Sequence, residues 1–202
     1  MNNFFGSEKV IIRFISLYTL GLILFFISWT IAYYFLPESL LRGSGLLPGL
    51  AGDTAADTLF REFIQILLIN TLGFILILGG NYILRVKNFS FGYLVPLAWM
   101  IKYGLTLGTN SFLIPMVETM TPSLAVFGRA GLYEMMAAVL FAVATCTISI
   151  NKSETFSSSS KKVPRAERGM KKDQWIAVGV ALLILAAAAF REAYMIMDVA
   201  LL

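Results

Sequence analysis

The 202-residue sequence has no histidine and one cysteine, Cys146. The missing histidine removes the commonest metal ligand and the commonest general base. A lone cysteine excludes an intrachain disulfide and a cysteine-built metal cluster. Charge is also scarce, at 14% of residues, against about 25% in soluble domains. Too few charges remain to clothe a water-facing surface. What is abundant is apolar: 58% of residues are hydrophobic and the mean hydropathy is +0.78. The solvent this composition fits is lipid. Any chemistry would have to run on carboxylates, hydroxyls, lysine or tyrosine. The reading is a non-enzyme, with no catalytic, cofactor-binding or metal-ligating residue assigned.

A spanning helix needs roughly 20 mostly apolar residues. Five segments meet or approach this: 11–36, 59–84, 91–107, 130–150 and 175–197. The first is long and has no small-residue cleavage site after it, so it reads as a retained helix rather than a signal peptide. The expected class is all-α, a polytopic membrane bundle forming one integral membrane domain over 1–202. Orientation follows from the basic residues of short loops. With the N-terminus cytoplasmic, segments 9–13, 85–87 and 152–172 are inside and hold eleven Lys and Arg. The outer segments hold four, Arg42, Arg61, Arg129 and Arg191. Five spans then place the C-terminus outside a plasma membrane.

The segment 151–174 is serine-rich and has few large apolar groups, so it is expected to be a flexible basic cytoplasmic linker. Its seven basic and three acidic residues account for the whole net charge of +4. It reads first as a solvated topology signal, and second as a strip that lies on anionic lipid or meets an acidic partner. The outer connection "NSFLIPMVETMTPSLAVFG" is too apolar for an ordinary loop, and Pro115 and Pro122 interrupt it. A short interfacial helix or a re-entrant segment packed on the spans fits it. The loop before the second span carries Leu46, Leu47 and Leu50 and is expected to rest on the membrane surface. Asp57 or Thr58 then caps the second span.

The charges near or within spans are Arg61, Glu62, Lys102, Arg129, Glu134, Arg191 and Glu192. All fall in the outer half, and a near-balanced set at one depth is expected to be mutually close, because unpaired charge in lipid is costly. Glu134 is expected to meet Lys102 or Arg191. Arg129 and Glu134 are five residues apart, about 140° around a helix, and so belong to different contacts. Asn70, Gly73, Ile77 and Asn81 share one stripe, with Gly80 beside it. Gly104 and Gly108 give a second small-residue face. Such faces are helix-packing surfaces in lipid. Glu62, Asn70, Lys102, Arg129, Glu134, Arg191, Glu192 and Tyr194 are the expected intramembrane polar cluster; packing and polar glue is the simpler reading of it, and a solute or proton path the alternative.

The motifs "ILLINTLGFILILGG" (66–80), "YGLTLG" (103–108), "AGLYEMMAA" (130–138) and "REAYM" (191–195) resemble, in order and spacing, the stage II sporulation protein M family. The matching positions are Asn70, Gly104, Gly108, Gly131, Glu134, Glu192 and Tyr194. Tyr103 stands where the family has asparagine, and Ala130 where it has histidine. The resemblance covers roughly 60–197. It implies a multi-span protein working within a complex: a scaffold for envelope-remodelling proteins, a partner in circular bacteriocin production and immunity, or a subunit beside an ATP-driven exporter.

Two functions follow as expectations. One is a non-enzymatic subunit that organises other membrane or envelope proteins, alone or as an oligomer. The other is a transporter or exporter component with an outward-facing polar pocket. Export would need a separate ATPase subunit, since the chain has no phosphate-binding Gly-x-x-x-x-Gly-Lys motif. A protease is disfavoured because Lys102 and Ser111 share no face and no paired carboxylates occur at helical spacing. Nucleic-acid binding is disfavoured because the basic run has no interleaved aromatics.

Overall fold

The computed structural model describes residues 4–42, 56–112, 116, 118–155 and 157–200. Five α-helices dominate them: α1 (Val10–Phe35), α2 (Leu59–Ile83), α3 (Leu94–Gly108), α4 (Gly131–Thr145) and α5 (Lys172–Ala200). The molecule is an all-α bundle. Four helical stretches, Val10–Phe35, Leu59–Ile83, Gly131–Ile148 and Lys172–Asp198, are long and apolar enough to cross a membrane. The segment expected as the third span is shorter. Its 15-residue helix α3 is about 22 Å long, against a hydrocarbon core of about 30 Å.

Helix α1 is apolar all round, so lipid and protein compete for its faces. Leu17, Gly21, Phe25, Ser28, Trp29 and Ala32 turn inward at helical spacing. Ile11, Ile15, Ile23, Ile27 and Ile31 are left 47–57% exposed on the opposite side. Similar apolar faces run along α2 and α5. Continuous faces of this kind do not persist in water and mark contact with lipid.

Helix α3 lies along α1, and two glycines set the distance. A Cβ at Gly104 would stand 2.5 Å from the Phe25 carbonyl oxygen, and one at Gly108 would stand 2.7 Å from that of Trp29. Helix α4 is the centre, touching all four other helices. Eleven of its 15 residues are buried, Ala137, Ala138, Ala142 and Ala144 fully.

A small sheet closes one end of the bundle. Its strands are β1 (Leu84–Val86), β2 (Phe89–Ser90), β3 (Asn151–Ser153) and β4 (Lys161–Lys162), in the order β2-β1-β3-β4. β1 pairs antiparallel with β2 and parallel with β3, and β3 pairs antiparallel with β4. Segment 151–174 is therefore not featureless. It adds two strands to the α2–α3 turn, in which Lys87 takes a left-handed φ of 53°. Three- to two-residue strands need little apolar surface of their own, which is why composition gave no sign of them. The N-terminal Gly6 abuts Asn88, and Phe5 packs edge-on to Phe89, at the same end.

At the opposite end the 118–130 chain folds back over α1 and α3. It contains a five-residue 3-10 turn, Leu124–Gly128, with Val126 fully buried. The Trp29 indole donates to the Met120 carbonyl at 3.1 Å. The Asn110 amide binds the Met116 backbone twice, at 2.9 and 3.0 Å. The three leucines 46, 47 and 50 lie outside the described residues.

Candidate functional site

Because consecutive helices reverse direction, the starts of α2 and α4 share one end of the bundle with the last turns of α5. Thr58 caps α2, its hydroxyl accepting from the Arg61 amide at 3.3 Å. This brings Glu62 into the first turn, where its carboxylate accepts from the Ala56 amide at 2.7 Å. An acidic group suits the positive end of a helix. Glu134 occupies the same position on α4. Both carboxylates are buried, at 8% and 7% exposure.

Glu134 accepts a 2.7 Å hydrogen bond from the Asn70 amide, a buried contact between α4 and α2. Its other neighbour is Glu192 of α5, close enough for the two carboxyls to interact directly. Glu62 and Arg129 are the other charged groups near Glu192. The Arg129 guanidinium stands 5.8 Å over the Phe112 ring and 3.1 Å from Met116 Sδ, within reach of the Tyr103 hydroxyl. Asn70, Arg129, Glu134 and Glu192 thus gather towards one end of the bundle, with Glu62 about two turns further out on α2 than Asn70.

Lys102, Arg191 and Tyr194 do not join them. Glu134 meets Asn70 and Glu192 where Lys102 or Arg191 was expected. Lys102 is exposed on α3, about 200° around the helix from buried Met100. Arg191 is also exposed; it donates to the Gly128 carbonyl at 2.5 Å and stands 5.9 Å over the Tyr133 ring. Tyr194, two residues beyond Glu192, is 59% exposed on the outer side of α5. The packing glycines are all in close contact: Gly73 with the Trp99 ring, Gly80 with the Gly92 backbone, Gly104 and Gly108 with α1, and Gly131 with the Tyr103 ring.

The other end of α4 holds a second set of buried polar contacts. A helix terminates with carbonyls that have no partner inside the helix. Here three successive ones are each held by a different helix. Asn81 of α2 donates to Ala142 at 2.8 Å, Arg13 of α1 to Val143 at 3.1 Å, and Gln174 of α5 to Ala144 at 2.8 Å. Asn81 also reaches the Thr145 hydroxyl at 2.7 Å. Arg13 is only 5% exposed, and its charge suits the negative helix end. Asn81 lies on the α2 stripe already visible in the sequence. Arg13 counted there only as a topology signal, though its place in the first turn of a 26-residue helix is an unusual one for a loop charge.

The two ends together describe a lipid-embedded bundle whose buried polar groups join its helices. This defines the class: a helical membrane protein. Within that class no family model matches the chain, and neither does any curated protein or solved structure. Among the described residues no group of three or more potential ligand side chains is placed to hold a metal ion.

Proposed function

We propose that this chain is a non-enzymatic integral membrane subunit that scaffolds or stabilises partner proteins in a membrane complex. The observation that carries this reading is the use made of the buried polar groups. Asn70 bonds Glu134, and Asn81, Arg13 and Gln174 bond α4 carbonyls. Each of these ties one helix to another, the role polar side chains take when they hold a bundle together in lipid. The resemblance to the stage II sporulation protein M family, with Glu134 and Glu192 among the shared positions, supports the same reading. Its setting is the plasma membrane with the N-terminus cytoplasmic. The basic residues of 85–87 and 152–172 collect at the sheet end, which agrees with the positive-inside rule.

One observation favours a second reading, a transporter component. Glu134 and Glu192 come together near the outer end, with Glu62 in the same region, and ionisable groups at membrane depth commonly mark a solute route. A mild-detergent pull-down of the tagged native protein, with partners identified by mass spectrometry, separates the two. Envelope proteins or cell-wall enzymes in the eluate support the scaffold. Recovery of an ATPase with permease-like subunits supports export and counts against it.

A further inference from the structure

The register of the small sheet aligns Ser90, Arg85, Lys152 and Lys161 in one row across its four strands. Directly paired residues project from the same face about 5 Å apart. Lys152 and Lys161 are exposed and stand side by side, an arrangement that is destabilising unless negative charge covers it; Arg85, next in the row, is only partly exposed and its Nε is buried. The ion pairs among the described residues, Arg61–Asp57 and Lys171–Glu8, do not involve this row. Lys152 and Lys161 also line one groove of about 230 Å³ with Glu154, Ser158 and Ser159. That space is several times the roughly 30 Å³ share of a water molecule.

The depth of the row indicates what covers it. β1 begins at Leu84, the residue after the last of α2, and β3 begins at Asn151, three residues past the apolar stretch ending at Ile148. At about 3.3 Å per extended residue, the sheet lies within roughly 10 Å of the ends of both spans, in the headgroup layer. Tyr82 and Trp175, 51% and 62% exposed, stand at this same end, as interfacial aromatics do. We infer that the Lys152–Lys161 pair is a docking surface for the phosphate of an anionic phospholipid headgroup. The lipid's charge relieves the repulsion within the pair, with the serines of the groove beside it. Lys162, the next residue on β4, projects to the other face and takes no part.

The test uses the full chain purified in neutral detergent and offered phosphatidylglycerol and phosphatidylcholine in equal amounts, with bound lipid counted by native mass spectrometry. The wild type is expected to retain phosphatidylglycerol preferentially. The K152Q/K161Q variant should lose about fivefold in that preference for each charge removed. K162Q/K172Q, with the same loss of charge, should stay within about twofold of wild type, because diffuse attraction alone would treat the two variants alike. Melting temperatures confirm that each variant is folded. The inference is overturned by an absent preference in the wild type, by equal losses in the two variants, or by excess inorganic phosphate displacing the lipid as completely as the lysine substitutions do.

Discussion

Glu134 is where the account is most exposed at the scale of single residues. Its carboxylate accepts from Asn70 in a buried site. Glutamine preserves the shape and the acceptor, so E134Q should melt within about 0.5 kcal/mol of wild type. Leucine leaves the Asn70 amide without its partner, and a buried unsatisfied donor costs about 1–3 kcal/mol. E134L should therefore melt clearly lower in the same detergent. At the other end, R13M removes the donor to the Val143 carbonyl and should lower stability by a similar 1–3 kcal/mol. These effects are read from thermal melts followed by circular dichroism. Were R13M neutral, the capping of α4 would be incidental.

Two adjacent glycines provide the contrast at the scale of elements. Gly79 has nothing within 4 Å of a Cβ position, whereas a Cβ at Gly80 would stand 2.9 Å from the Gly92 backbone. G79A should stabilise α2 by about 0.5–1 kcal/mol, the cost of glycine inside a helix. G80A should destabilise, since the backbone it meets must move. Similarly, G108L should separate α3 from α1 and lower the yield of folded protein. The helices and the inward stripe of α2 were legible because apolar runs and small-residue periods are local properties of sequence. Placing Glu62, Arg129, Glu134 and Glu192 in the outer half needed only depth, which is countable along each span; that Asn70 reaches Glu134 was not countable in this way. Rotation was the harder quantity. Lys102 lies two residues from both Met100 and Gly104, so the stripe through those buried residues already turned it outward. The clasp on the α4 carbonyls and the sheet were not legible, because backbone acceptors leave no trace in sequence and β3, on which β4 in turn pairs, depends on pairing with chain some 70 residues away.

For the whole molecule, the alternation of helices puts the sheet and the Glu134 cluster at opposite ends. In cells carrying the protein with Cys146 replaced by alanine, a cysteine at Ser123 should react with a membrane-impermeant maleimide added outside. One at Ser159 should react only after the membrane is opened. The reverse pattern would invert the proposed topology while leaving the bundle unchanged.

The most direct test of the central claim, that the buried polar groups join helices in a scaffold subunit, compares E134Q with E134L in the native cell after deletion of the wild-type gene. Both are scored for protein abundance, partner recovery and rescue of the deletion. Rescue is expected to follow abundance and partner recovery, with E134Q close to wild type and E134L deficient in all three. An E134Q protein that is abundant and bound to its partners yet fails to rescue would contradict it, and would make Glu134 part of a transport route.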